Sequence, residues 1–419
     1  MGTRELLATL LEEAFYEIEQ VRDSVPRKVR FPQSDLMITV AIGMRRSGKS
    51  YAIFQKINQL LDEGIKKEQI LFIDFEDDRL LPMNMKEMGQ LLDEFYSIYP
   101  ENHSKKCYFF LDEIQNVEGW YQVVRRFHKA KNVNLTLTGS SAKLLSTEIN
   151  TSLRGRSLSV EILPYSFSEF QLAHQLPAAQ APFGKRSYDI ANKQLIGFFA
   201  KGGFPAVQHM EIHDWRSTLQ GYVDTVAIKD IIERHKISNT AVLKYLIKTL
   251  LINVASPFSV NKFYNDIKSQ GFKVGRETIH NYIDFLVDTF LIFKIPTYSE
   301  SIRAQHTTPY KIYAIDNGLI SAFSLKINDL YHKFLENQVY LDLRRQHKDI
   351  YYYTTKDGYE VDFVTVDKNG NREVIQVTWD MNDPKTAERE LRALKQAEQE
   401  LGIKGRIITS RDYAVETHL

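Results

Sequence analysis

A single cysteine, Cys107, stands in 419 residues, which excludes an intrachain disulfide and suits a reducing compartment. Charge of one sign is missing too: 54 Lys and Arg face 53 Asp and Glu, for a formal net charge of +1. No global field marks the chain as a nucleic-acid binder, so any basic surface has to be local. Long apolar runs are lacking. Stretches such as Asp284 to Pro296 are short and interrupted by charge, which excludes a bilayer span. The first residues carry Glu12, Glu13 and Glu17, unlike a signal peptide, and Leu6 stands where myristoylation at Gly2 wants Ser or Thr. There is no internal repeat or low-complexity tract. The expectation is a cytoplasmic protein with no membrane partner.

What is present reads as globular. Hydrophobic residues make up 43% and charged residues 26%, and the length suggests two or three domains. Residues 4–20 place Leu6, Leu7, Leu10, Leu11, Phe15 and Ile18 at helical spacing. Short apolar runs then recur at Leu36–Ile42, Gln69–Phe75, Cys107–Leu111, Leu135–Thr138 and Leu158–Leu163, with helical patterns between most of them. That rhythm predicts a parallel sheet with crossover helices, ending near Pro164.

The strongest motif is Gly43-Met44-Arg45-Arg46-Ser47-Gly48-Lys49-Ser50, followed by Tyr51, between an apolar strand and a helical pattern. Glycines let backbone N–H groups wrap phosphates, and a helix amino terminus favours negative charge. Lys49 is predicted to reach the β- and γ-phosphates of ATP and Ser50 to hold Mg2+. Tyr108-Phe109-Phe110-Leu111-Asp112-Glu113 is a strand ending in two carboxylates. Asp112 is placed to bind Mg2+ through water, and Glu113 to polarise the attacking water. A further strand ends at Thr138, Gly139 and Ser140, where either Thr138 or Ser140 could orient that water. Arg154 and Arg156 flank Gly155 before the fifth strand; either could reach a neighbouring subunit's γ-phosphate, or both could be solvated.

On these motifs, with Asp74-Phe75-Glu76-Asp77, Gly202-Gly203-Phe204-Pro205 and Glu360-Val361-Asp362-Phe363, the chain resembles prokaryotic AAA+ ATPases whose carboxyl-terminal region looks like a PD-(D/E)XK nuclease. The resemblance implies a P-loop AAA+ α/β core (1–165), a helical lid (166–240), a winged helix (241–315) and a small α/β nuclease-like domain (316–419). It also implies ATP and Mg2+ as cofactors and self-assembly into a homo-oligomer, a hexamer being one form.

Ser259–Ile267 and Arg276–Leu286 read as two helices of the winged helix, the second with Arg276, His280 and Asn281 outside its core stripe. Leu291–Ile295 and the acid-free Ser301–Lys311, with Arg303, His306 and Lys311, could form the wing. Lys262, Arg276, His280, Asn281 and Arg303 are the candidate DNA contacts, with a scaffold or partner-docking role as the alternative. In the nuclease pattern an aspartate is followed, on the next strand, by an acid, one residue and a lysine. Here Asp362 is present, but Gln376 and Thr378 hold the other two positions. Glu336 or Glu373 could be a displaced acid, and the site is read as degenerate. Asn369-Gly370 signals a hairpin, and a plain two-residue turn would put Asp362 opposite Val377. A shared face for Asp362 and Gln376 requires a longer loop or a bulge. The functional expectation is an oligomeric ATPase coupled to DNA, branched DNA included. Its rivals are a signalling or protein-remodelling ATPase and an ATP-gated nuclease.

Overall fold

The apolar runs Ile38–Ile42, Ile70–Asp74, Cys107–Asp112 and Val133–Gly139 are buried along nearly their whole length, as strands covered on both faces are. The chain divides into the units Met1–Leu163 and Pro164–Leu419. The computed structural model describes residues 2–415 apart from 33, 35, 131, 140–152, 154, 182, 302, 304, 306–307, 325–329 and 347–348.

In the first unit, helix α1 (Thr3–Gln20) buries Leu7, Leu10, Leu11, Ala14 and Ile18, the stripe its spacing predicts. Then come β1 (Ile38–Ile42), α2 (Lys49–Asp62), β2 (Ile70–Asp74), α3 (Met85–Ile98), β3 (Cys107–Asp112), α4 (Trp120–Ala130), β4 (Val133–Gly139) and β5 (Ser157–Glu161). Helix α3 starts where Asn84 accepts from the N–H of Glu87 at 3.1 Å and Glu87 accepts from the N–H of Asn84 at 3.0 Å. This reciprocal pair satisfies donors that a helix start would otherwise leave open. The strands are all parallel, in the order β2-β3-β4-β1-β5. Five parallel strands with crossover helices make this a P-loop AAA+ sheet. Its carboxyl-terminal edge gathers Asp74, Asp112, Thr138 and the turn after Ile42.

The second unit opens with helices α5 (Phe167–Ala173), α6 (Lys185–Lys201), α7 (Ile212–Thr225, continued by a π-helical turn, Val226–Glu233) and α8 (Thr240–Ile252). Next are β6 (Ser256–Phe258), α9 (Val260–Ser269), α10 (Arg276–Asp288), β7 (Ile292–Ile295) and β8 (Tyr310–Ala314). These three strands form an antiparallel sheet in the order β6-β8-β7. After α11 (Asn317–Phe323) follow α12 (Tyr331–Arg345), β9 (Asp349–Thr354), β10 (Glu360–Val366), β11 (Arg372–Thr378), α13 (Pro384–Leu401), β12 (Gly405–Thr409) and α14 (Ser410–Val415). The four-stranded sheet runs β9-β10-β11-β12, with only the last pair parallel. Sequence reading missed β6, which is three residues long, and β9, whose tyrosine run carries no clear alternation.

Gly202-Gly203 joins the early helices of this unit to α11. Gly202 has φ +79°, and a Cβ there would lie 2.1 Å from Asp316 Oδ1 and 2.6 Å from the Gly318 backbone nitrogen. Asp316 accepts from the N–H of Gly203 at 2.5 Å and of Gly318 at 2.8 Å. Burial pushes its carboxyl up to about 7, against the pull of the backbone N–H groups of Gly203, Gly318 and Leu319.

Candidate nucleotide site

The phosphate loop leaves the carboxyl end of β1 and enters α2, whose first residue is Lys49. No side chain caps this helix, so its leading N–H groups lack a side-chain partner. Gly48 sits at φ +96°, and a Cβ on Gly43 would lie 2.3 Å from the Ile162 carbonyl oxygen. Only glycine suits either place. Ser47 is fully buried, and among the described residues its hydroxyl has no hydrogen-bond partner. An uncapped helix start, a loop that excludes Cβ atoms and a buried hydroxyl in want of a partner together fit a bound polyphosphate.

Lys49 is buried, donating to the Gly43 carbonyl at 3.3 Å and pairing with Glu113 at 3.4 Å. Ser50 donates to Asp112 Oδ2 at 2.7 Å. A hydroxyl beside a carboxylate is an oxygen donor set that fits Mg2+, an ion that keeps several of its waters. Thr138 donates to the other oxygen of Asp112 and accepts from the Glu113 N–H at 2.9 Å. Burial raises the Asp112 carboxyl above its ordinary range, helped by the Glu113 charge and opposed by Thr138, Ser50 and Lys49. Asp74, opposite Asp112 in the β2–β3 register, is pushed up to about 6 by burial first and then by the charges of Asp112, Glu76 and Glu113.

Glu113 itself sits at φ +47°, a left-handed conformation that costs a side-chain-bearing residue about 1–3 kcal/mol. Gln115 holds it from the far side by donating to its carboxylate. Neither the backbone conformation nor the Gln115 contact was legible in sequence. Arg27 was missed as well: it donates to the Ser47 carbonyl at 3.1 Å and to the Leu163 carbonyl at 2.5 Å, bracing the loop from twenty residues upstream. No motif marks it.

The structure thus brings Lys49, Ser50, Asp112, Glu113 and Thr138 together, while Arg45 is turned to Glu76 at 2.8 Å and Arg46 and Tyr51 are exposed. Ser140 and Arg154 lie outside the described residues. Arg156 is exposed at the amino-terminal end of β5, its carbonyl accepting from Ile38, the first residue of β1. A strand of this length places it roughly 15 Å from its own phosphate loop, on the opposite edge of the sheet.

In the second unit Lys262, Arg276, His280, Asn281 and Arg303 are all exposed, and His306 lies outside the described residues. The Arg276 guanidinium lies over the Tyr264 ring at 4.9 Å. One expectation for the wing, an exposed Lys311, needs correction. The β7–β8 connection begins by bridging to the carboxyl-terminal sheet, with the Tyr298 N–H on the Tyr352 carbonyl at 2.6 Å. Lys311, expected on a basic surface, lies on β8 and is fully buried, because that strand is covered on both faces.

The hairpin register pairs Phe363 with Ile375 and Val366 with Arg372, which sets Asp362 opposite Gln376. The loop is longer than a two-residue turn: the Asp367 N–H bonds the Asn371 carbonyl, and Gly370 takes φ +82°. Asp362 and Gln376 therefore share a face, as the longer-loop reading required. Gln376 accepts from the Asp362 N–H at 3.3 Å and donates to Glu390 at 2.5 Å. Thr378 is bonded to the Asp380 carbonyl, and Glu336 lies beside Asp362 through Lys311.

The AAA domain family matches residues 36–171, and two domains of unknown function match 192–330 (DUF8612) and 331–417 (DUF4143). An uncharacterized protein of Methanocaldococcus jannaschii, MJ1544, is 35% identical over 413 residues, 96% of this chain and 88% of that one. An uncharacterized protein of Haemophilus influenzae is 31% identical over 340 residues, 81% of this chain and 79% of that one. Among solved structures, the Walker-type ATPase PABY2304 of Pyrococcus abyssi is similar at 14% identity and a TM-score of 0.44, over 74% of this chain and 95% of that one. Among the described residues no helix is long and apolar enough to cross a membrane. By the extent of its match to the M. jannaschii and H. influenzae proteins the chain belongs to their family, and its amino-terminal part carries an AAA domain.

Proposed function

We propose that the protein hydrolyses ATP in an oligomer and uses the cycle to engage DNA through its second unit. The observation that carries the ATPase reading is the meeting of Lys49, Ser50, Asp112, Glu113 and Thr138 at one sheet edge. In this reading Gly43, Arg45, Arg46, Ser47, Gly48 and Tyr51 surround the nucleotide, and Lys49 bonds its terminal phosphates. Ser50 and Asp112 would hold Mg2+, which neutralises phosphate charge when bound. Glu113 takes a proton from the attacking water. Thr138 keeps Glu113 and Asp112 in register, with Ser140 as the other candidate for orienting the water. Thr138→Val keeps the shape but loses both hydrogen bonds. Turnover is expected to fall roughly tenfold with ATP affinity nearly unchanged, read by steady-state kinetics and nucleotide titration.

Arg156 stands too far from its own loop to act in cis, so a role in hydrolysis needs a neighbouring subunit. Mixing Lys49→Ala chains with Arg156→Ala chains is then expected to restore turnover that neither has alone. No restoration, with Arg156→Ala alone at wild-type rate, would remove Arg156 and leave Arg154 as the candidate.

For DNA the support is the exposed face of α10, with Arg276, His280 and Asn281, in a helix–strand–helix–helix–strand–strand order that reads as a winged helix. Lys262 and Arg303 would add phosphate contacts. A mobility-shift panel of plain and branched duplexes, with and without ATP, tests it. Binding should weaken with salt, and Arg276→Ala should lessen the slope. A protein-docking reading is favoured by two observations: Lys311 is buried, and the β7–β8 connection begins by bridging to the last sheet, leaving less basic surface for DNA. Absence of any shift at low salt would decide for it.

A further inference from the structure

The order α12–β9–β10–β11–α13–β12 reads as a nuclease-like core, and such folds hold a divalent metal ion between carboxylates. The groups here do not fit that ion. Lys311 enters from β8, in the segment matched to one domain family, and meets three carboxylates from the segment matched to the next. Its ammonium lies 2.9 Å from Glu336, 2.8 Å from Glu360 and 3.1 Å from Asp362. The ammonium donates hydrogen bonds to Glu336 and Asp362, and the Glu360 carboxylate pairs with its charge. The remaining acceptor sites are partly used: Glu336 also takes the Tyr313 hydroxyl at 2.8 Å, and Asp362 takes the Val377 N–H at 2.9 Å.

The lysine cannot swing clear. Asn337 on α12 accepts from the Ala314 N–H at 2.8 Å and donates to the Ala314 carbonyl at 3.1 Å, clamping the end of β8 to the helix that carries Glu336. We infer that the Lys311 ammonium is the permanent cation of this cage and stands where a nuclease-like fold would hold its metal ion, so that the module works without one. Burial on its own would lower the Lys311 proton affinity, but Glu336, Tyr313, Asp362 and Glu360 together hold it well above the ordinary value. The charge is therefore retained, and it excludes a second cation by repulsion and by volume. The inference is independent of the ATPase reading.

The test uses the nucleotide-free full chain and Mn2+ as the probe. Because Ser50 and Asp112 are unchanged in both, millimolar Mn2+ is expected to shift the melting temperatures of wild type and Asp362→Asn by the same amount. Wild-type protein should also bind no Mn2+ that Asp362→Asn removes, read by electron paramagnetic resonance. Lys311→Met leaves three carboxylates facing one another. Its melting temperature should drop on the order of 10 °C and recover substantially with Mn2+, one ion per chain. An Mn2+ ion bound by wild type and lost in Asp362→Asn would overturn the inference. So would Lys311→Met melting like wild type with no added response to Mn2+. If Lys311→Met does not accumulate folded, the comparison of wild type with Asp362→Asn decides alone. The double variant Lys311→Met/Glu336→Gln, with one fewer charge to offset, supplies the folded partner for the Mn2+ titration.

Discussion

Protein carrying Glu113→Gln is expected to bind ATP about as tightly as wild type and to turn it over at least about 100-fold more slowly. The amide keeps the size of the carboxylate but loses its charge and one acceptor oxygen, and it cannot take a proton. The backbone supports this assignment. Glu113 occupies a left-handed conformation that glycine would adopt at no cost, and its N–H is fixed by Thr138. Strain of this kind persists where the surroundings hold it in place, and here it turns the carboxylate toward Lys49. Lys49→Ala acts at the earlier step. It removes the buried cation of the loop, so ATP affinity should drop by roughly 10- to 100-fold, the worth of charge-assisted hydrogen bonds. Stopped-flow binding with a fluorescent nucleotide and phosphate release separate the two effects. Wild-type turnover in Glu113→Gln would remove Glu113 as the base and turn attention to Asp74, another carboxylate at that edge.

Gly202→Ala should destabilise the second unit by about 2–5 kcal/mol. The added carbon would overlap Asp316 and Gly318, costing about 1–3 kcal/mol, and the positive φ adds about 1–2 kcal/mol. The melting transition should fall by roughly 5–15 °C. Gly197 is the control, because it lies in α6 and a Cβ there meets nothing within 4 Å. Gly197→Ala should leave stability unchanged or raise it by up to about 1 kcal/mol. Equal melting of the two variants would mean that the approach of Gly202 to Asp316 does not hold this unit together.

The nucleotide site was largely legible in the chain because its parts are local. Eight consecutive residues form the phosphate loop, and strand ends announce Asp112, Glu113 and Thr138. Parallel packing then needs only to bring strand ends to one edge, which crossover connections do. Sequence left Thr138 and Ser140 open; Thr138 lies between Asp112 and the Glu113 N–H, while Ser140 is outside the described residues. Arg27 escaped notice because a lone polar residue carries no spacing signal, and the contacts of Arg27 and Gln115 exist only in the folded chain.

The hairpin at Asn369-Gly370 shows the boundary between the two sources of information. Sequence stated the condition, a loop longer than two residues, since side chains alternate in a strand and one step of register flips them. The folded chain supplied the outcome, with Asp367 and Gly370 shaping the longer loop. Lys311 lies wholly on the other side of that boundary. In the linear text it is one cation within a short strand, 51 residues from Asp362, and it reads as surface. Only when both faces of β8 are covered does it become a buried ammonium among three carboxylates. Contiguous motifs report the chemistry of neighbours along the chain, where bond geometry limits the choices. Burial and charge pairing over long separations depend on which surfaces meet, and that is settled by packing.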